Sequence, residues 1–482
     1  MNYPKTIFLS LALLAMHSLN AEVVTYPAGA GVKTLNDFSV EVRQGSGPWL
    51  PVDVSPVKVD RVDEKGHNVE VASIAYFDFD GMVDVRVISN KERVNSARVR
   101  PLSYKITPDC VGDTVTFSLS HPRNLSVEVN GDIFHNLHLF ANPIDKFRPS
   151  DKEIKRALKK KKGSNLIYFG PGVHNLPNDT LFVPSGTTVY IDGGARVYGN
   201  IFTEGAHDVN IFGRGEVHPD GRGAGVWVRR SKNVRIDGIV VSQLPIGQCD
   251  SVELTNVKSI SYYGWGDGMD VFSSSNVILD GVFCRNSDDC TAVYASTQGF
   301  KGGSNNVLVK NATLWADVAH PINIGGHGDP NGMDTVQNVT FRNIDILDQA
   351  EKQIDYQGCL AINPGDNTLV RNITFENIRI EDFRNGQLVN FRISFNPKYC
   401  VSTGRGIHNV LVKDVTYNGS GENLSIIAGY DENHKISGIR FVNLVVNGRK
   451  ITDDMPGKPK WYKTGDMAGI FIGEHVENIS FE

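Results

Sequence analysis

The feature that most constrains the fold is a short unit that recurs along the chain from residue 233 onward. Each copy opens with Asn, continues with Val or Ile, and places a second apolar residue two positions later, before Asn, Asp or Gly. Clear copies open at Asn233, Asn276, Asn306, Asn338, Asn372 and Asn409, and looser copies at Asn256, Ser437 and Asn478. The copies lie roughly 20 to 43 residues apart. Such an irregular period predicts a solenoid with constant strands and variable loops.

Short β-rich runs closed by glycine turns extend this rhythm toward the N-terminus. The runs at 166–169 and 187–191 are followed by Gly-Pro-Gly and Gly-Gly turns. We therefore expect an all-β protein in which a right-handed parallel β-helix occupies residues 166–482. Asparagine side chains at its turns can hydrogen-bond to one another along the solenoid, so the repeated asparagines are expected to be structural.

The rest of the chain follows a different pattern, and 482 residues are too many for one ordinary domain. Residues 22–145 alternate with period two, as at 114–119, which predicts a β-sandwich domain. Residues 146–165 are expected to be a charged linker or capping helix. The basic run from Lys152 to Lys162 either attracts an anionic polymer or forms a solvated helix that caps the solenoid, and such runs are more often solvated.

The first 21 residues are expected to be a signal peptide. Lys5 precedes an apolar run that ends at Ala15, and cleavage before Glu22 follows a small residue. We therefore expect a secreted or periplasmic protein. No later stretch has the roughly 18 apolar residues of a membrane-spanning helix, and the net charge of −5 gives no support for nucleic-acid binding. The oligomeric state stays open.

The cysteine content leaves two readings open. Cysteines stand at Cys110, Cys249, Cys284, Cys290, Cys359 and Cys400, and their spacing fits no zinc motif. In an exported chain some of them can oxidise, so they are either buried thiols or members of one or two structural disulfides. From the sequence we expect no metal and no cofactor.

Two short acidic segments, here called acidic steps, interrupt the repeats about one coil apart. Asp267 lies between Gly266 and Gly268, and the pair Asp288-Asp289 begins 21 residues later, which is about one coil. Parallel strands of successive coils are about 4.8 Å apart, so both steps would project from the same face of the solenoid. The sequence thus predicts three carboxylates in one groove.

These steps and a later histidine carry a resemblance to a known group of enzymes. The relevant stretches are Asp267-Gly268, Asp288-Asp289-Cys290, and the run Ala-His-Pro-Ile-Asn-Ile-Gly that contains His320. They resemble the active-site succession of the polygalacturonase clan of glycoside hydrolases, which reads Asn-Thr-Asp-Gly, Asp-Asp and Gly-His-Gly in family 28. A sandwich that precedes the helix is similar to family 49, the dextranase and isopullulanase family.

The resemblance implies an inverting glycoside hydrolase that acts on a polysaccharide or oligosaccharide. One carboxylic acid protonates the leaving oxygen while a base activates water on the opposite face of the sugar. By position, Asp288 would be the general acid, Asp267 and Asp289 would position and deprotonate water, and His320 would hydrogen-bond the acid or the sugar. Neighbouring negative charges should keep Asp288 protonated. Asp270 fits a turn role as well as a site role.

One motif of the polygalacturonases is missing, which puts a galacturonate substrate in doubt. The Arg-Ile-Lys that polygalacturonases use to hold the uronate has no clear counterpart, since the aligned stretch reads Lys-Gln-Ile-Asp-Tyr and Arg392 falls too late. A neutral glucan or galactan, or a modified polysaccharide, is therefore favoured. Candidates for substrate binding, chosen as aromatic or polar side chains near the groove, are Trp265, Tyr263, His327, Lys352, Asp355, Tyr356 and Arg392.

Two other functional classes stay open. A β-helix polysaccharide lyase would eliminate at C5 of a uronate, and it generally needs a Lys or Arg base together with calcium-binding acids. A non-catalytic carbohydrate-binding solenoid would share the fold without the reaction. Calcium dependence and an unsaturated product would indicate the lyase. Absent activity with carbohydrate binding that survives Asp288→Asn would indicate the binding protein.

Overall fold

The computed structural model describes residues 22–159, 163–219, 223–420 and 422–482. The expected signal peptide at 1–21 lies outside these residues, so export stays a prediction. The N-terminal part is built from strands that precede residue 145: β1 (Glu22–Thr25), β2 (Phe38–Arg43), β3 (Leu50–Val52), β4 (Val54–Asp63), β5 (Gly66–Asp80), β6 (Val83–Ser89), β7 (Ala97–Arg100), β8 (Asp109–Val111), β9 (Thr114–Leu119), β10 (Arg123–Val129) and β11 (Leu137–Pro143).

These strands form two sheets that pack face to face. One sheet has the order β1-β5-β11-β10-β7, with β4 paired to β5, and the other has the order β3-β2-β6-β9-β8. Alternate residues of each strand point inward, as in β6, where Val85 and Val87 are buried. Phe77 and Leu139 of the first sheet meet Val85 and Phe117 of the second in one apolar core. The expected β-sandwich is confirmed.

A short helix, α1 (Asp151–Leu158), follows the sandwich. It begins with a capping box, because the Ser150 side chain accepts a hydrogen bond from the Glu153 backbone and Glu153 accepts one from Ser150 N at 2.9 Å. Ile154 is the buried residue of α1. The described part of the basic run is therefore a solvated helix, as expected, while 160–162 lie outside the described residues. The domain boundaries stay predictions.

The remaining strands form the solenoid. They are β12 (Leu166–Phe169), β13 (Gly172–Phe182), β14 (Thr188–Ile191), β15 (Ala195–Glu204), β16 (His207–Gly213), β17 (Glu216–His218), β18 (Val226–Arg229), β19 (Lys232–Asp237), β20 (Val240–Val241), β21 (Ile246–Gly247), β22 (Asp250–Thr255), β23 (Lys258–Ile260), β24 (Val271–Phe272), β25 (Ser275–Asp280), β26 (Phe283–Asn286), β27 (Ala292–Tyr294), β28 (Ser304–Lys310), β29 (Thr313–Ala316), β30 (Ile322–Ile324), β31 (Thr335–Gln349), β32 (Leu360–Ile362), β33 (Leu369–Ile380), β34 (Gly386–Gln387), β35 (Val389–Arg392), β36 (Gly406–Tyr417), β37 (Glu422–Asn423), β38 (Ser425–Ala428), β39 (Ile436–Val446), β40 (Arg449–Ile451), β41 (Ile470–Ile472) and β42 (Val476–Phe481). A second short helix, α2 (Thr464–Met467), and 3-10 turns at Leu102–Tyr104 and Ile354–Tyr356 complete the elements.

Successive coils stack through three ladders of parallel strands. The first ladder runs from β12 through β14, β16, β19, β22, β25 and β28 to β31 and beyond, the second from β15 through β17, β20, β23 and β26 to β29, and the third from β18 through β21, β24, β27, β30, β32 and β35 to β41. Interior side chains stack in register, as Val252, Val277, Val307 and Val339 do on four consecutive coils. This confirms the parallel β-helix, with its apolar core inside the coils.

The repeated asparagines stabilise the same turn in several coils. Asn306, Asn338 and Asn372 have φ values of 55°, 56° and 56°, which place them in the left-handed region that Asn tolerates better than most residues. Asn372 Nδ2 donates to Asn338 Oδ1 at 3.1 Å, and Asn306 Nδ2 donates to Asn276 Oδ1 at 2.7 Å. The expectation that these asparagines are structural is confirmed.

The sandwich packs along the side of the β-helix. An apolar cluster joins Ile74 and Phe140 of the sandwich to Val240, Ile260 and Phe283 on strands of the second ladder. Polar contacts cross the same interface at Tyr76 with Gly194, Asp78 with Arg214, Asn142 with Lys258, Asn136 with Arg285, and Arg100 with Glu381. Since the contacts involve many coils, the sandwich fixes the second ladder, from which the candidate site loops emerge.

All six cysteines belong to the described part of the chain, and all are free thiols. Cys249, Cys284, Cys290 and Cys359 are buried, whereas Cys110 is exposed on the sandwich. Of the two readings that the sequence left open, the structure favours thiols over disulfides. No helix within the described ranges is long and apolar enough to cross a membrane.

Candidate active site

The predicted acids lie in loops that connect the second ladder to the third. Asp267 follows β23, Asp288 and Asp289 follow β26, and His320 follows β29, so they occupy the same corner of three successive coils. Backbone hydrogen bonds join these corners, from Gly268 N to Asp289 O at 2.8 Å and from Cys290 N to His320 O at 2.8 Å. The structure therefore brings the two acidic steps and the histidine together.

The glycines that flank Asp267 are required by this stacking. A Cβ atom on Gly266 would collide with the Ser287 side chain, and one on Gly268 would collide with the Cys290 backbone oxygen. Glycine removes both clashes and lets the loop approach the next coil. Asp267 is thus held directly against the corner that carries Asp288 and Asp289.

Asp289 is the most strongly hydrogen-bonded of the acids. Its Oδ1 pairs with His320 Nδ1 at 2.7 Å, and its Oδ2 accepts from Tyr294 Oη at 2.7 Å and from Asn323 Nδ2 at 2.9 Å. Burial alone would raise the pKa of Asp289, but the charge interaction with His320 and these hydrogen bonds outweigh it and lower the pKa below its ordinary value. Asp289 is therefore ionised.

Asp288 and Asp267 are shifted in the opposite direction. Burial raises the pKa of Asp288 well above its ordinary value, and the negative charges of Asp267 and Asp289 raise it further. Burial, followed by the charges of Asp270 and Asp289, likewise raises the pKa of Asp267 well above the ordinary value. The groove thus holds protonated and ionised carboxyl groups side by side, which is the division that general acid-base chemistry requires.

Asp270, for which the sequence left two roles open, belongs to this cluster. Its side chain is buried, shares a hydrogen bond with Asp267, and accepts from Ala292 N at 3.2 Å. Burial raises the pKa of Asp270 well above its ordinary value, although the hydrogen bond from Asp267 opposes the shift. Asp270 therefore orients Asp267 and also supports the loop.

His320 and Tyr356 form the wall beside the acids. The His320 ring is fully buried and meets the Tyr356 ring edge-on at 4.4 Å between centroids. His320 Nε2 is buried and has no hydrogen-bond partner among the described residues. Burial raises the pKa of Tyr356 well above its ordinary value, and the charges of Asp289, Asp288 and Asp267 raise it further. The Tyr356 hydroxyl therefore stays protonated next to the carboxyls.

Aromatic side chains continue this wall toward solvent. Tyr399 stacks on Tyr356 at 5.3 Å between ring centroids, and the Trp265 ring meets Tyr399 at 6.2 Å. Trp265 is 65% exposed, so its face is available to a sugar ring. The structure thus places two of the predicted substrate contacts, Trp265 and Tyr356, on one continuous aromatic surface.

Other predicted contacts are engaged elsewhere. The Tyr263 hydroxyl donates to Gly223 O at 2.9 Å, which commits this side chain to the structure of a loop. Lys352 Nζ donates to Asp63 O at 2.8 Å on the sandwich. Arg392 Nη1 donates to Asp355 Oδ1 at 2.7 Å, so these two charges compensate each other at the rim of the groove. Direct contact of these residues with substrate stays a prediction.

His327 lies beside Tyr294, the residue that donates a hydrogen bond to Asp289. Its ring meets the Tyr294 ring edge-on at 5.1 Å. Both residues line a cavity of about 50 Å³ that also touches Tyr356, Tyr399 and Cys400. His327 is thus close to the groove, but within the described part of the chain its side chain makes no hydrogen bond with the acids.

Sequence reasoning missed Tyr294, Asn323 and Tyr399 as site residues. Asn323 offered a signal, because it is a polar residue inside the apolar run Ile-Asn-Ile of β30. Tyr294 offered none, since its bond to Asp289 depends on how the chain turns after the acids. Tyr399 reaches the site from the loop that follows β35, and no spacing rule predicts that approach.

Comparison with known proteins connects this geometry to a family. The sequence pattern of "Glycosyl hydrolases family 28" matches residues 226–455, a range that contains every acid described above. The chain is related to the polygalacturonase clan of glycoside hydrolases. Matches to clan proteins include a polygalacturonase of Juniperus ashei, which is 27% identical over 219 residues and covers 43% of this chain and 39% of the relative. A probable endopolygalacturonase D of Neosartorya fischeri is 24% identical over 295 residues, with 52% and 57% covered.

Among solved structures, Dex49A from Penicillium minioluteum has a TM-score of 0.62 at 14% identity, and the match covers 95% of this chain and 96% of that one. This likeness shows the fold, including the sandwich that precedes the β-helix. The chain spans only 39% to 57% of the length of the first curated clan relatives. The activity of the whole protein is therefore a matter of proposal.

Proposed function

We propose that the protein is an inverting glycoside hydrolase of a polysaccharide or oligosaccharide. The observation that supports it most is the opposite shift of two adjacent carboxyl groups, with the pKa of Asp288 raised by burial and neighbouring charges and that of Asp289 lowered, against its burial, by His320 and hydrogen bonds. One acid and one base in the same groove are what single-displacement hydrolysis needs.

In this proposal each carboxyl has one task. Asp288 protonates the leaving glycosidic oxygen, because its raised pKa lets it keep a proton to higher pH than an ordinary aspartate. Asp289 is the ionised member and takes the proton of the attacking water, while Asp267, tied to Asp270, orients that water. His320 keeps Asp289 ionised through its Nδ1.

The same charges support a neutral substrate. A polyuronate would bring its carboxylates to a groove in which Asp289 is ionised, and like charges repel. Arg392 at the rim is compensated, since it pairs with Asp355. A neutral glucan or galactan needs only stacking and hydrogen bonds, and the aromatic wall offers both.

One observation favours polygalacturonate as the second candidate. Lys398 is exposed at the rim, and its Nζ lies 4.7 Å from the centre of the Tyr399 ring. A lysine in this position can bind a uronate as a point charge. Relatives of the chain include polygalacturonases, which keeps this substrate in the test.

The test uses the purified protein with polygalacturonan, dextran, pullulan and plant and red-algal galactans. Reducing ends measure cleavage, and NMR of the first product gives the anomeric configuration. We expect release from a neutral polymer with inverted configuration, and a loss of about 10²-fold or more in Asp288→Asn. Asp179→Asn, at an exposed position of β13 in the same β-helix, is the matched control and should keep full activity. Retained configuration would contradict the roles given to the acids.

A further inference from the structure

Three side chains of different chemistry converge at one point beside the groove. A ring nitrogen of His327, a carboxylate oxygen of Asp366 and the sulfur of Cys400 all lie within 4.8 Å of one another. They come from three successive coils, since His327 follows β30, Asp366 follows β32 and Cys400 follows β35. Loops that follow neighbouring parallel strands meet at one edge of the sheet, which is how residues distant in sequence come together here.

Backbone hydrogen bonds hold these loops in place. Gly365 N donates to Gly325 O at 3.0 Å, which joins the first loop to the second. Asp366 N donates to Ser402 O at 2.9 Å, and Asp366 Oδ1 accepts from Val401 N at 2.7 Å, which joins the second loop to the third. The convergence is therefore fixed by the fold and does not depend on flexible surface side chains.

Each of the three side chains has an atom that can bind a metal ion. Asp366 uses Oδ1 for the backbone, which leaves Oδ2. In the described part of the chain, the His327 imidazole has no hydrogen-bond partner, and burial lowers its pKa, so it is neutral. Cys400 Sγ donates a hydrogen bond to Gly326 O at 3.3 Å, and this bond is lost when the thiol releases its proton to bind a metal. Burial, and then the charge of Asp366, raise the pKa of the Cys400 thiol to about 12, so without a bound cation it keeps its proton.

We propose that His327, Asp366 and Cys400 bind a Zn²⁺ ion or a similar divalent cation of intermediate softness. Imidazole, carboxylate and thiolate are the three ligand types that zinc accepts, and soft thiolate disfavours Mg²⁺ and Ca²⁺. On binding, the thiol releases its proton to solvent and the sulfur forms the bond to the metal. The cavity of about 50 Å³ lined by His327 and Cys400 has room for a water molecule as the fourth ligand.

The site would connect the metal to the substrate groove. Cys400 directly follows Tyr399, the aromatic residue that stacks on Tyr356. A cation that joins three loops would fix Tyr399 and with it the wall of the groove. The ion would thus stabilise the binding surface. Its ligands do not include the carboxyls that carry out the proposed reaction.

The test is cobalt and zinc titration of the full chain after treatment with a chelator. We expect one equivalent of Co²⁺ to bind and to produce the near-ultraviolet charge-transfer band of a cobalt thiolate, which Zn²⁺ then abolishes. Cys400→Ser should remove the band and weaken binding by more than about tenfold. His327→Gln, which keeps the thiol, should weaken binding to a similar degree. Cys110→Ser removes an exposed thiol on the sandwich and should change neither property.

The pH dependence gives an independent readout. Because the thiol must lose a proton, the affinity for Co²⁺ should rise with pH across the neutral range. Circular dichroism confirms that each variant is folded. A folded wild-type protein that binds no Co²⁺, a band that persists in Cys400→Ser, or an affinity that does not change with pH would overturn the proposal.

Discussion

At the residue scale, the contrast between Asp288 and Asp289 comes from their neighbours. Asp289 accepts hydrogen bonds from Tyr294 and Asn323 and pairs with His320. Asp288 has the Asp289 backbone amide as its hydrogen-bond donor at 3.0 Å and otherwise faces negative charge. Two identical side chains, adjacent in sequence, therefore hold their protons over different ranges of pH.

This contrast predicts the pH profile of His320→Gln. In the wild type, kcat/KM should fall at low pH as Asp289 gains a proton and at high pH as Asp288 loses one. The substitution removes the charge interaction that lowers the pKa of Asp289, so the low-pH limb should move to higher pH. The high-pH limb, set by the raised pKa of Asp288, should move less. The measurement is kcat/KM against pH on the polymer found by the substrate panel.

His207→Gln is the control for that experiment. His207 is exposed on the β-helix and pairs with Asp208 at 2.9 Å, far along the chain from the acids. Its profile should match that of the wild type. If His320→Gln lowered activity equally at every pH, the histidine would act by contact with the sugar, and its proposed effect on Asp289 would be wrong.

Spacing predicted the first two acids, because Asp267 and Asp288 are one coil apart and therefore project from one face. His320 was predicted from the resemblance to the polygalacturonase clan, and it lies at the same corner of the next coil. Tyr294 and Asn323 were missed because their contacts with Asp289 depend on the register between coils. That register follows from loop lengths, which carry little pattern.

At the element scale, the repeated asparagines stabilise a turn with left-handed backbone conformation in several coils. Asn372 has φ of 56° and bonds to Asn338 on one side and Asn409 on the other. Asn372→Ala loses these bonds and places a Cβ residue in the left-handed region, so we expect the free energy of unfolding to fall by about 1–2 kcal/mol. Asn372→Gly loses the bonds but adopts this φ freely, and its loss should be smaller.

Thermal unfolding followed by circular dichroism measures both variants. The midpoint should decrease in the order wild type, Asn372→Gly, Asn372→Ala. If the glycine variant were the less stable of the two, the greater flexibility of the unfolded glycine chain would outweigh the strain of a Cβ residue in the left-handed region.

Loop inserts limited the prediction of elements between the strands. The sequence aligned the stretch from Lys352 to Tyr356 with the Arg-Ile-Lys of the clan but did not predict its conformation, and the structure forms a 3-10 turn at Ile354–Tyr356. The strand that pairs with β30 is β32 (Leu360–Ile362), several residues later. The conformation of such an insert between strands follows no repeat and could not be predicted.

At the scale of the whole molecule, a buried ionic network stabilises the contact between sandwich and β-helix. Arg285 Nε donates to Asp317 Oδ2 at 2.8 Å, and the same carboxylate accepts from Arg384 at 2.8 Å. Arg285 also donates to Asn136 of the sandwich at 2.9 Å. Arg285 and Asp317 are fully buried. The network therefore depends on every partner being present.

Asp317→Ala should be strongly destabilising. It leaves the buried charge of Arg285 without its carboxylate, and breaking such a pair costs about 3–5 kcal/mol. We expect a clear drop in the thermal midpoint. Glu482→Gln disrupts the exposed pair with Arg440 and should leave the midpoint unchanged. Equal effects of the two substitutions would contradict the importance given to burial.

The free thiols predict insensitivity to reductant. Since all six cysteines are unpaired, dithiothreitol should change neither the thermal midpoint nor the mobility of the denatured chain in gel electrophoresis. A midpoint that falls on reduction would mean that a disulfide forms in the mature protein.

The sequence predicted both parts of the molecule but not how they dock. Periodicity of two and the asparagine repeat identified the sandwich and the β-helix separately. The contacts between them are made by isolated side chains such as Arg100, His138 and Lys258, which lie in strands and follow no repeat. Only the folded arrangement shows them to be partners.

The long contact between sandwich and β-helix changes how the solenoid should come apart. In a free solenoid each coil touches only its neighbours, so the ends fray one coil at a time. Here the sandwich contacts many coils, with polar contacts from Gly194 to Glu381. A coil that contacts the sandwich cannot open alone, because it would also have to break its contacts with a domain that the neighbouring coils hold in place. Fraying should therefore start in the coils that follow residue 400, and stop at the first coil that contacts the sandwich.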